Sequence, residues 1–155
     1  LQNKKPEIVA KILSFEKARS ISIKKKYMNK NVVGCDTIIY LNKRILDKAK
    51  NIKEAKRKLK TLSGKKHKII SALTICRNGK KIWQRSVTTE VKVRKLSSKQ
   101  ISFYLKKTGN QILQSVGCYQ IESLGPNIIE EIKGDFFNVM GLPLFTFLQH
   151  MNKKK

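Results

Sequence analysis

The sequence predicts an α/β domain, a single mixed sheet with flanking helices, on three observations. Segments with apolar residues at helical spacing alternate with β-branched runs bounded by turn residues. An Asn78-Gly79 pair stands between two long extended stretches and marks a hairpin. No internal repeat and no linker divides the 155 residues, a length at which one domain buries a core of its own. The expected domain runs over 1–152, with a basic tail at 153–155.

Ile8, Val9, Ile12, Leu13 and Ile21 recur at helical spacing after Pro6, which suits a first turn, so an amphipathic helix opens the chain. The run Val32–Leu41 reads as a largely buried strand around Val32 and Val33, then a second extended piece at Ile38–Leu41. Asn42-Lys43 is a turn. A second helix follows, with Asn51 as cap, Ile52, Ala55, Leu59 and Leu62 along one face, and Gly64 past its end. The extended pattern from His67 through Asn78-Gly79 to Val93 is a long hairpin. Ser97 or Ser98 caps a third helix through Ile101, Tyr104 and Leu105, and Gly109 ends it. Between Gln111 and Gly141, short apolar pieces punctuated by glycine predict loops and short strands lining a cleft. Pro143 marks the start of a last helix.

Composition narrows the function. Thirty-five Lys and Arg against ten Asp and Glu leave a formal charge of +25, which attracts any polyanion. The lysines are spread through every segment, however, so a solvated surface stands beside nucleic-acid binding as a reading. Three widely spaced cysteines, Cys35, Cys76 and Cys118, form neither a disulfide framework nor a CxxC pair. They read as reduced thiols of a cytoplasmic protein. No apolar run approaches a membrane span, so no membrane partner is expected. Walker, GxSxG and HExxH motifs are absent.

One carboxylate stands out. Asp36 lies inside an apolar run two residues after Gly34, where it would hold a divalent cation, take a proton from water, or serve as an Asx-turn or helix cap. Lys17, within a helix, and Lys48, between a strand and a helix, have unusual settings, although a solvated role fits either one alone. His67 suits a base or a structural position. Glu122 and Asp135, in the glycine-punctuated region, are further carboxylates that a metal site would use.

Read in order, these segments resemble the Maf family of nucleotide pyrophosphatases. The blocks are Glu16-Lys17-Ala18, Val33-Gly34-Cys35-Asp36-Thr37, Asp47-Lys48-Ala49, Leu62-Ser63-Gly64 with His67, and Thr88–Val93. They continue with Gly117-Cys118-Tyr119-Gln120-Ile121-Glu122, Ile132-Lys133-Gly134-Asp135 and Val139-Met140-Gly141-Leu142-Pro143-Leu144. The ending most resembles a divergent bacterial branch. The resemblance implies an inosine-triphosphatase-like α/β fold that converts a nucleoside triphosphate to monophosphate and pyrophosphate with Mg²⁺ or Mn²⁺, and it allows a homodimer. Asp36 would activate water or hold metal, Lys17 and Lys48 would face phosphates, and Glu122 would bind substrate or metal. Glu122 stands where the family more usually has glutamine, Ala49 where it has proline, and Ser115 where an acidic residue is common. Family members open with a Ser-x-Ser-Pro-Arg-Arg loop that this sequence does not include, so an N-terminally truncated fold is expected. The family has been linked to septum formation. Two readings compete with catalysis: a nucleic-acid or nucleotide-binding module, favoured by the charge, and an inactive paralogue.

Overall fold

The computed structural model describes residues 4–153, which leaves residues 1–3 and the last two lysines of the expected tail, Lys154 and Lys155, outside the described residues. Its centre is a five-stranded sheet in the order β2-β1-β3-β4-β5, comprising β1 (Val32–Leu41), β2 (Arg44–Leu46), β3 (Lys66–Arg77), β4 (Lys80–Val93) and β5 (Ile129–Lys133). Helices α1 (Pro6–Ser22), α2 (Ile52–Leu62), α3 (Ser98–Thr108), α4 (Phe136–Val139) and α5 (Leu144–Asn152) flank it. The α/β architecture follows the alternation of periods in the sequence.

Turn chemistry sets the strand order locally. Asn42 and Lys43 both take positive φ, 50° and 63°, and fold β2 back on β1 with Leu41 opposite Arg44. Asn78 and Gly79 do the same between β3 and β4, with φ of 51° and 76°. Positive φ at both central residues gives the twist that a two-residue hairpin needs. Strand β5 closes the other edge antiparallel to β4, with Val91 opposite Ile132 and a register shift at Lys92/Val93. Strand β3 lies in the middle of the order and is buried without a break from Ile69 to Cys76. Such a continuous apolar run is the signature of a strand covered on both faces.

The chain divides into two compact units. The first takes the residues up to Ile38, Ile70–Thr88 and those from Asp135 on. Within it, Pro6 occupies the first turn of α1, as the sequence predicts. The buried face of α1 differs from the expected one. It consists of Val9, Ala10, Ser14, Ala18 and Ser22, while Ile8 is exposed. The reason is Gly34 on β1: a Cβ there would lie 2.3 Å from the Ser14 carbonyl oxygen and 2.7 Å from the Ala18 nitrogen. Only small residues on α1 and no side chain at Gly34 permit backbones to approach so closely. The same packing makes one continuous β1 of the two extended pieces expected there, with Val33 exposed rather than buried. Ser14 donates to the Lys11 carbonyl and accepts from Thr74 on β3, which in turn accepts from Gln84 on β4. Helix α5 lies by β4 through Trp83 and His150, whose rings stack at 4.2 Å.

The second unit takes Ile39–Ile69 and Thr89–Gly134. Helix α2 begins at Asn51, whose side chain accepts from the Glu54 N–H, and packs Ala55, Leu59 and Leu62 into the core against α3. Helix α3 opens with a reciprocal capping box between Ser97 and Gln100. The glycine-punctuated region contains 3-10 turns at Gly109–Gln114 and Gly125–Asn127 with a single strand, β5, rather than the several short strands expected.

Candidate active site

Gly34 and Asp36 are two residues apart on β1 and project to the same face, the one that α1 covers. On α1, Lys17 is three residues beyond Ser14 and adjoins Ala18, both seated on Gly34, so its side chain reaches the strand where Asp36 stands. The Lys17 ammonium lies 2.5 Å from Asp36 Oδ1 and donates to the Cys35 carbonyl at 3.2 Å. Asp36 is 13% exposed and Lys17 59%, so a half-sheltered carboxylate is held by a lysine that remains open to solvent. The carboxylate is neither an Asx-turn nor a helix cap. Two residue types that sequence reasoning singled out separately are thus one pair in the structure.

The residues flanking Asp36 point to the opposite face and grip a single acceptor. Cys35 donates its thiol proton to the Gly141 carbonyl at 3.1 Å, and Thr37 donates to the same oxygen at 3.2 Å while accepting from Ser71 at 2.8 Å. Burial, reinforced by the Asp36 charge, pushes the Cys35 thiol up to about 11, so it stays protonated as a donor. The two bonds fix the Gly141 loop against the strand that carries the carboxylate. Neither contact was foreseen, since nothing in the local pattern of Cys35 or Thr37 points to Gly141.

Lys48 is exposed in the connector between β2 and α2, and Glu122 is exposed on a turn, both in the second unit. Asp135, considered as a metal carboxylate, is the N-cap of α4, with Oδ1 accepting from Phe137 N at 2.8 Å and Asn138 N at 3.2 Å. His67 is structural: it is 2% exposed, its Nε2 lies 2.6 Å from the Tyr119 hydroxyl, and burial lowers its pKa to about 4. Among the described residues, no group of three or more His, Cys, Asp or Glu side chains converges as a metal-binding set.

Sequence reasoning missed Lys58. Its ammonium donates to the Asp47 carbonyl and, at 2.9 Å, to the Val116 carbonyl, and burial lowers its pKa. The available signal was register: with Ala55, Leu59 and Leu62, position 58 completes the i, i+3, i+4, i+7 set of the core-facing stripe. Lysine abundance in this helix hid it.

A family profile described as "Maf-like protein" matches residues 1–154. The chain belongs to the Maf family. Among its relatives it is similar to the 7-methyl-GTP pyrophosphatase of Bartonella quintana, at 42% identity over 94% of this chain and 72% of that protein. It is also similar to the 7-methyl-GTP pyrophosphatase of Brucella abortus, at 35% over 97% of this chain and 74% of the relative. A protein of Caulobacter vibrioides named nucleoside triphosphate pyrophosphatase is 35% identical over 94% of this chain and 72% of its own length.

Proposed function

We propose that the chain is a nucleoside triphosphate pyrophosphatase that hydrolyses its substrate to the monophosphate and pyrophosphate, with Asp36 taking the proton of the attacking water. The observation that carries this is the Lys17–Asp36 pair on the Gly34 seat, in a chain whose relatives bear pyrophosphatase names. Lys17 holds Asp36 Oδ1, which leaves Oδ2 to meet water. Its exposed ammonium also sets positive charge where phosphate oxygens gain charge, the kind of fixed stabilisation on which phosphoryl chemistry depends.

The divalent cation that the family implies fits these donors. Mg²⁺ takes one or two carboxylates and completes its shell with phosphates and water, and Asp36 offers a hard oxygen of the right kind. As the alternative to taking the proton itself, Asp36 would hold the ion, which when bound neutralises phosphate charge. Lys48 and Glu122 are carried as substrate-binding residues by the family resemblance, Glu122 with metal binding as its other role. The first substrate to try is 7-methyl-GTP, because relatives of that name match at 42% and 35% identity. No helix among the described residues is long and apolar enough to cross a membrane. We read the site of action as the cytoplasm, which the three free cysteines support.

The test is release of pyrophosphate and monophosphate from 7-methyl-GTP and the common nucleoside triphosphates, with Mg²⁺ or Mn²⁺, by this chain and by Asp36→Asn. The expected outcome is metal-dependent release that falls by about 10²–10⁴-fold in the variant. Absence of release from the unaltered chain would overturn the proposal and favour the second reading, polyanion binding, which rests on the +25 charge. That binding would weaken steeply with salt and ignore Asp36→Asn.

A further inference from the structure

Two loops of the second unit lack ladder partners for their backbone. One is Asp47–Ala49, which carries Lys48 between β2 and α2, and the other is Ser115–Cys118, which leads into Tyr119 and Glu122. Backbone carbonyls in such loops must find donors from elsewhere or from water. Two independent tethers tie the loops together. The Lys58 ammonium reaches from α2 to the carbonyls of Asp47 and Val116, one in each loop. The Cys118 side chain, buried, is hydrogen-bonded to the Ala49 backbone, again joining one loop to the other.

We infer that Lys58 is a positioning residue, which holds the Lys48 loop and the Val116–Cys118 loop in one fixed arrangement and so sets where the Lys48 charge is presented to substrate phosphate. The inference rests on the pyrophosphatase reading for its effect on catalysis, but the clamp itself is a matter of geometry. An ammonium suits the task because it offers three donors from one point at the end of a flexible stem. A carbonyl in each loop accepts a charge-assisted bond, stronger than an ordinary amide bond. An apolar residue at this register would pack beside Leu59 and Leu62 but would leave both carbonyls without that donor.

The test compares Lys58→Met, which keeps the stem and loses the donors, with Lys58→Arg, which restores donors, and with Lys48→Ala. Hydrogen exchange by mass spectrometry reads the clamp without reference to activity. In Lys58→Met the amides of 47–49 and of 115–118 exchange faster together, while those of α3 keep their protection, and Lys58→Arg recovers part of the difference. Unchanged exchange in the two loops, or acceleration spread evenly over the second unit, overturns the inference. In the activity assay, Lys58→Met raises KM for the nucleotide about tenfold or more in the same direction as Lys48→Ala, because misplacement by about 1 Å costs up to about 10²-fold. An unaltered KM, or a loss accounted for by a lowered Tm alone, overturns the positioning role. If the unaltered chain releases no pyrophosphate, the functional reading fails, and the exchange experiment still decides the clamp.

Discussion

His67 takes no part in proton transfer near neutral pH because the fold removes its access to water. It is 2% exposed, bonded to Tyr119 at 2.6 Å, and its pKa is lowered by burial from 6.5 to about 4. The unfolded chain therefore takes up the proton first as the pH falls, and the folded state loses ground. Stability is full above about 6.5 and declines as the pH drops towards 4, by about 3 kcal/mol at most from this group at about 1.4 kcal/mol per unit. Thermal melts across this range should show the decline in the unaltered protein and a flatter profile in His67→Gln. Asp36 shows the opposite use of partial burial: the lysine that holds its carboxylate is itself 59% exposed, so the pair stays open to water on one side.

At the level of elements, capping and turn residues were legible because their requirements are local. Asn51, Ser97, Gly64, Gly109 and the Asn78-Gly79 turn perform the jobs that their types and positions announce. Removing one should have a local effect. Ser97→Ala deletes one half of the capping box at α3 and is expected to cost about 1 kcal/mol. In a chain of this length that lowers Tm by about 2–4 °C, measurable by calorimetry, with pyrophosphatase activity at 25 °C retained. The face of α1 was not legible. Isoleucine periodicity selects the greasier side, but the seat offered by Gly34 is filled by Ser14 and Ala18, and that constraint comes from β1, a different part of the chain. For the same reason, Asp36 and Lys17 could each be picked out by setting or family resemblance, whereas their pairing required the helix to lie on the strand. Lys58 escaped because its register was readable only after its residue type, common along this helix, was set aside.

Across the whole molecule, 35 basic and ten acidic side chains make self-repulsion a standing cost of compactness. Apart from Lys17–Asp36, the ion pairs among described residues, such as Lys66–Glu90 and Lys92–Glu130, are open to solvent and offset little of it. Added salt screens this repulsion over about 8 Å at physiological strength. Tm at neutral pH should therefore rise with NaCl from low to moderate concentration, as followed by differential scanning fluorimetry; a falling Tm would show that attractive pairs dominate instead. Excess charge also serves the proposed chemistry by drawing polyphosphates towards the surface, which is how one composition is compatible with both a hydrolase and a polyanion binder.

The grip that Cys35 and Thr37 exert on Gly141 has a bearing on sulfur chemistry. With its pKa pushed up to about 11, Cys35 presents a thiol and not a thiolate to alkylating agents and peroxides, and burial raises Cys76 and Cys118 as well. The carboxylate strand thus carries a cysteine whose nucleophile is kept in reserve by the fold. Half-buried and held as a protonated donor to Gly141, Cys35 should alkylate more slowly than a free thiol at neutral pH, so the strand beside Asp36 carries its sulfur in an unreactive form.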